Sequence, residues 1–141
     1  MTLSTRVVLL KLFAVLYLIG PGVLMVLSES LPLMPLVSGF IDIAYLPFDG
    51  AQRVEGDATT LLNAILGGVL IGFGTLIFGV AGQVYAKDDA LGRALLLWAI
   101  IGWGVSDSYA SIATGAPFNA VLNLFFASCF LATLSWPRRA A

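Results

Sequence analysis

Residues 60–82 read TLLNAILGGVLIGFGTLIFGVAG, a run without a charged side chain. At ~1.5 Å of rise per residue, a helix over this run is roughly 34 Å long, enough to cross the ~30 Å hydrocarbon layer of a bilayer. The run therefore predicts a transmembrane helix. Within it Ala64, Gly68, Gly72, Thr75, Gly79 and Gly82 recur in steps of four and three. Such a stripe of small residues lets membrane helices approach backbone to backbone.

Working outward, the same reading finds three more spans. One covers about 94–113 and carries a similar seam at Ala99, Gly102, Ser106, Ala110 and Ala113. We expect the second and third spans to pack directly together along these two seams. Their connection, Gln83 to Arg93, is short enough for an antiparallel hairpin. The fourth span, 117–136, follows the turn Thr114-Gly115-Ala116-Pro117 and ends before Pro137-Arg138-Arg139. The first, 7–27, is interrupted by Lys11 and by Gly20-Pro21-Gly22, where a proline kinks or stops a helix. A cleaved secretory signal is its rival reading, but Lys11 intrudes and no small-x-small site precedes Ser28.

The connection from Ser28 to Thr59 carries Pro32, Pro35 and Pro47 and the acids Glu29, Asp42, Asp49, Glu55 and Asp57. Its middle, Leu36 to Leu46, is apolar. A connection this long usually has structure of its own, so a short interfacial or partly re-entrant segment is expected around Val37 to Tyr45.

Composition agrees. Of 141 residues 60% are apolar and 11% charged, with a mean hydropathy of +1.00. Soluble domains average roughly 45–50% apolar and ~25% charged. The expectation is one all-α domain, a four-helix transmembrane bundle over 1–141. A net charge of -1 without clustered Lys or Arg excludes a nucleic-acid partner. There is no histidine and one cysteine, Cys129. Histidine-ligated haem, the usual zinc sites, Ser-His-Asp or Cys-His catalysis and an internal disulfide are thus unavailable within the chain. Cys129 reads as a packing residue, and no cofactor or metal is expected.

Orientation follows from the basic residues, which concentrate on the cytoplasmic side. With the N-terminus inside, that side holds Arg6, Lys11, Lys87, Arg93, Arg138 and Arg139, and the opposite side holds only Arg53. Both ends are then cytoplasmic, Lys11 snorkels back to the surface, and Trp136 serves as an interfacial anchor.

The residue that most needs explaining is Asp107, because a carboxylate inside a span costs about 2.5–3.5 kcal/mol on insertion scales. It lies roughly 21 Å along the helix from Arg93 and roughly 12 Å from Gly115. In the antiparallel fourth span Asn123 falls at matching depth, one turn beyond Asn119. Trp103, Asp107 and Ser111 share a face of the third span by their spacing of four. The expected cluster is Asp107, Asn123, Asn119, Asn63, Ser106, Ser108 and Ser111, with Trp103 as its apolar floor and the acidic loop as a roof. Three readings stay open: interhelical hydrogen bonding alone; a pocket for a small molecule, lipid headgroup or quinone, lined also by Phe126 and Tyr109; or an ion or proton path. Enzymatic chemistry is not expected, since no paired acid and base or activated nucleophile accompanies Asp107.

Gly67-Gly68 and Gly72-x-Gly74 do not make a dinucleotide fingerprint, which needs a preceding strand. They read as packing glycines, either within the chain or toward a second copy or a larger complex.

One span, a long outer loop, a Gly-rich second span, the charged turn Lys87-Asp88-Asp89 and the Gly115-Ala116-Pro117 turn together resemble the layout of small DoxX-like four-helix proteins of bacterial inner membranes. The resemblance implies a multi-pass protein of the cytoplasmic membrane that is an accessory to a redox or transport system. On these grounds the expected function is an accessory or ligand-binding subunit, the alternative being a small oligomeric transporter or channel component.

Overall fold

A computed structural model describes residues 1–135, and within them the chain is all-α. Four helices are long and apolar enough to cross a membrane: α1 (Leu3–Leu27), α3 (Asp57–Tyr85), α4 (Asp89–Ala113) and α5 (Pro117–Ser135). A shorter apolar helix, α2 (Met34–Tyr45), lies between the first two. Trp136, Arg138 and Arg139 fall outside the described residues.

Two of the long helices, α1 and α4, begin ahead of their apolar runs, each with a polar cap. Thr2 Oγ1 accepts from the N–H of Thr5 at 3.2 Å, and Asp88 Oδ1 accepts from that of Leu91 at 2.9 Å. Each satisfies a first-turn donor with no partner inside the helix. Pro21 neither stops α1 nor interrupts it. The preceding stretch, Ala14–Ile19, is wound as a π-helix, and the N–H of Gly20 reaches back to the carbonyl of Val15. The wider turn accommodates a proline ring that would clash with the carbonyl one α-turn earlier.

The helices pack as two pairs. Against α3, α1 approaches so closely that a Cβ on Gly22 would stand 2.6 Å from the carbonyl oxygen of Gly67, and one on Gly67 2.8 Å from that of Gly22. Gly74 is as tight, 2.7 Å from Ile19 and 2.9 Å from Leu18. The packing residues of α3 therefore follow Asn63, Gly67, Gly74, Ile77, Ala81 and Tyr85, all buried. That stripe runs beside the expected one. Gly68, Gly72 and Gly79 have nothing within 4 Å of a Cβ, and Gly82 meets the Lys11 side chain, which also lies over the Phe78 ring.

Nor do α3 and α4 pack along their seams, as the two stripes had suggested. Their backbones come close only where Val80–Tyr85 meets α4 next to the connecting turn, with Gly92 pressed on the Tyr85 backbone. Farther on, Gly102 is open and Ser106, Ala110 and Ala113 are exposed. The partner of α4 is α5, along most of its length. The short turn fixes α3 and α4 as neighbours only at its own end, and bulky side chains elsewhere find better partners.

All four long helices meet in the half of the bundle nearest the α3–α4 turn. Leu10, Ala14, Leu18, Ile77, Ala81, Tyr85, Leu96, Ile100, Phe130 and Leu134 form the core there. Phe13 stacks edge-on against Phe130 with centroids 5.0 Å apart, and Tyr17 meets Phe126 at the same distance. This end, the basic end, is tied by two arginines. Arg6, 1% exposed, donates from Nη1 to Tyr85 Oη at 3.2 Å and to the Leu134 carbonyl at 3.3 Å. Arg93 Nη1 donates to the same carbonyl at 2.6 Å, and its Nη2 pairs with Asp89 at 3.3 Å. Cations favour the carbonyl end of a helix, where acceptors lack intrahelical partners. Arg6, counted above as a surface charge, is thus a buried tie.

At the opposite end, α2 packs on α5 and touches the end of α1. At ~1.5 Å per residue α2 spans roughly 18 Å, short of the hydrocarbon thickness. It buries Val37 and Asp42 and exposes Leu36, Phe40 and Ile43. Asp42 explains the inversion: its Oδ2 accepts from the N–H of Gly50 at 2.8 Å and its Oδ1 from that of Gln52 at 3.1 Å, while Ser38 Oγ accepts from Val54 at 3.0 Å. These bonds strap residues 50–54 across α2 and bury Val54. The Gly50 amide, opposed by burial and aided by that of Gln52, holds the Asp42 carboxyl below the ordinary aspartate range.

Candidate functional site

Spacing on two helices builds the site. A step of four places Trp103, Asp107 and Ser111 along one face of α4, and the same step places Asn119 and Asn123 on α5. Between them the chain turns at Gly115, whose φ of 84° suits glycine. The Ala116 N–H closes the turn onto the Ser111 carbonyl at 2.8 Å. Asn119, two residues into α5, thereby comes level with Ser111.

Asp107 is the centre. Its Oδ2 accepts from Asn123 Nδ2 at 2.6 Å and from Asn119 Nδ2 at 3.1 Å. The same two amide nitrogens reach Ser108 Oγ at 3.2 Å and Ser111 Oγ at 2.8 Å. Ser111 in turn donates to the Asp107 carbonyl at 2.7 Å. The carboxylate decides which end of each amide faces it, because only the NH2 end can donate. Both asparagines therefore spend their donors inward. What is left over is mostly acceptors: among the described residues Asp107 Oδ1, Asn119 Oδ1 and Asn123 Oδ1 accept no hydrogen bond and none is sealed off as a fully buried atom, though Asn123 is only 4% exposed, while the Ser108 hydroxyl keeps its O–H unused. Among the described residues no Lys or Arg side chain pairs with Asp107; the ion pairs there are Arg53–Glu55 and Arg93–Asp89.

Other residues expected here go elsewhere. Asn63, 6% exposed, joins α1 to α3 by donating from Nδ2 to the Met25 carbonyl at 3.2 Å and to Ser28 Oγ at 3.1 Å. Its Oδ1 is buried without a partner. Because α3 turns this face toward α1, Asn63 is not part of the Asp107 group. Ser106 bonds back to the Gly102 carbonyl of its own helix at 2.6 Å and is exposed. Tyr109, 76% exposed, faces away. Trp103 sits half-buried against the apolar core, one turn below Asp107, and Phe126 packs on Tyr17. Asp42 does not roof the niche, since its strap holds it; the element that leans on α5 is α2.

Reading the sequence missed the Asp42 strap, the Arg6–Tyr85 tie and the Gly22–Gly67 contact. Two of them left a signal. Asp42 is the lone acid inside an apolar helix and is followed by an Asp49-Gly50 turn; Gly22 completes a step-of-four row with Leu10, Ala14 and Leu18.

Among the described residues no group of three His, Cys, Asp or Glu side chains could hold a metal ion. Comparison with protein-family models, with curated proteins and with solved structures finds no match to this chain. What its helices themselves show is a small all-α, multi-pass membrane protein.

Proposed function

We propose that the chain is a binding subunit of a membrane complex and takes a small molecule or a lipid headgroup at the Asp107 niche. One observation carries this reading: a carboxylate within a span, with no cation beside it among the described residues, is flanked by acceptor oxygens that no donor fills. Helix gluing alone accounts for it poorly. Interhelical hydrogen bonds in membranes are worth about 0.6 kcal/mol on average, so two of them recover less than the ~2.5–3.5 kcal/mol that a central Asp costs. An Asn–Ser contact would join the same helices without that cost. The reading includes no catalysis, because the niche has no second acid, base or nucleophile to move a proton or form a bond.

By the basic residues, the basic end faces the cytoplasm and the niche the far side of the membrane. The DoxX-like layout supports an accessory place beside a larger, different partner in a bacterial inner membrane. A second reading, a small oligomeric transporter or channel component, is favoured by the uncovered face of α3 at Gly68, Gly72 and Thr75, which suits self-association into a closed ring.

Native mass spectrometry of gently solubilised protein, wild type beside Asp107→Asn, separates the two. The expected result is a bound small species, or a heteromeric partner, that the variant loses. A pure homo-oligomer with nothing bound and unchanged assembly would sink the binding reading in favour of conduction, to be followed by ion flux.

A further inference from the structure

We propose that the group recognised at the Asp107 niche is a primary ammonium, R–NH3+. This rests on the reading of the niche as a binding site and adds the chemistry of its ligand. Most donors of the niche are already spent: both asparagine NH2 groups point at Asp107 Oδ2 and at Ser108 or Ser111, and the Ser111 hydroxyl donates to the Asp107 carbonyl, which leaves the Ser108 hydroxyl as the one donor without an acceptor among the described residues. Against it stand three acceptors, Asp107 Oδ1, Asn119 Oδ1 and Asn123 Oδ1, the last on a residue only 4% exposed, and one of the three belongs to a carboxylate.

A ligand that offers only acceptors would find a single donor, the Ser108 hydroxyl, against three sets of lone pairs. Phosphate, carboxylate and the carbonyl of an oxidised quinone are therefore disfavoured by the same geometry. A hydroxyl brings one donor and no charge. A quaternary ammonium brings the charge but no N–H. Only a primary ammonium supplies three N–H donors together with the positive charge that Asp107 lacks among the described residues, and hydrogen bonds to ionised groups are the strong ones. In a span, where an unpaired charge is costly, the pairing gains further. The amine has two possible sources, the headgroup of an aminophospholipid or a free amine from the aqueous side.

The test uses the full-length protein in nanodiscs of mixed phosphatidylethanolamine, phosphatidylcholine and phosphatidylglycerol, released into a native mass spectrometer. We expect phosphatidylethanolamine to be retained over phosphatidylcholine by about tenfold or more, since a hydrogen bond to a charged group is worth at least a decade of affinity. The preference should disappear in Asp107→Asn and fall several-fold in Asn119→Ala, which removes one acceptor and keeps the acid. If the wild type retains no lipid but binds ethylammonium by calorimetry in detergent, the ligand is a free amine and the ammonium assignment stands. Equal retention of the ethanolamine and choline lipids without ethylammonium binding, or a preference for phosphatidylglycerol, overturns it. The wild-type preference decides even if a variant fails to assemble. A different species, such as a quinone, bound by wild type and lost in Asp107→Asn would overturn the ammonium while leaving the binding site intact. Nothing bound in any arm would sink both.

Discussion

The pair α1·α3 and the pair α4·α5 solve the same problem with opposite chemistry. In the first, glycines remove side chains so that backbones touch: Gly22 lies on Gly67 and Gly74 on Leu18 and Ile19. In the second, no glycine is at the contact near Asp107, Gly102 and Gly104 being open, and polar side chains bridge the gap instead. Lipid tails are as apolar as leucine, so in a membrane neither pair can rely on the hydrophobic effect. Dispersion at close range and hydrogen bonds between helices are what remain. A glycine contact is complete in itself. A polar bridge leaves lone pairs over, and those of Asp107, Asn119 and Asn123 make the second pair the one with chemistry to offer.

Substitutions at the two contacts should separate them. The largest effect is expected at Gly67→Val, where the added Cβ would collide with the Gly22 carbonyl and with Met25 Cβ at 2.9 Å. Overpacking of this kind costs about 1–3 kcal/mol and occasionally more; with backbone as the obstacle we expect the upper end, read as a fall in melting temperature in detergent. An unchanged melt would show that the α1·α3 contact is loose.

The polar pair should respond less. In a double-mutant cycle of Asp107→Ala with Asn123→Ala, the coupling is expected at about 0.6–1.7 kcal/mol, the range found for interhelical bonds in membranes. A coupling near zero would mean that the 2.6 Å contact does no work in holding α4 to α5.

Smaller and more local is the effect of acid on the strap. The Asp42 carboxyl is held below its ordinary value by the Gly50 and Gln52 amides. Its stabilisation is therefore complete above the unfolded pKa of about 3.9 and is lost as pH falls through the lower, folded value. Hydrogen exchange at Gly50 and Gln52, corrected for its intrinsic pH dependence, should show protection that persists at pH 5 and fades only below the ordinary aspartate range. Asp42→Asn should remove much of that protection at every pH. Protection that vanished already above pH 5 would contradict the direction of the shift.

The smallest effect belongs to Gly72→Ala, which sits on the uncovered stripe of α3 with nothing within 4 Å of a Cβ. As a surface change it should fall within about 0.5 kcal/mol of wild type. A large loss of stability or of assembly there would reveal a partner on that face and move weight to the oligomeric reading.

Much of this was legible in the chain. The spans, their short α3–α4 and α4–α5 connections and a structured Leu36–Leu46 segment follow from runs of apolar residues and from prolines. The Asp107–Asn119–Asn123–Ser111 grouping was legible too, because it needs only the helix period on two helices joined by one tight turn. Asn63 was placed with that group on depth alone, and depth does not say which way a helix is rotated.

The division between chain and tertiary structure is clearest in α3. Its sequence determined that residues 60–82 form an apolar helix carrying small residues at steps of three and four. Two such rows lie side by side on it, one through Gly68, Gly72 and Gly79 and one through Gly67, Gly74 and Ala81. The first row is the more regular, the second having small residues only every seven with Ile77 between, yet periodicity cannot choose between them, because each keeps to one face of the helix. The choice was made by α1, whose own row of Leu10, Ala14, Leu18 and Gly22 presents matching small and large residues to the second row and buries Asn63 against Met25 and Ser28. Rotation about a helix axis is set by the partner that fits best, and that partner is a property of the assembled bundle.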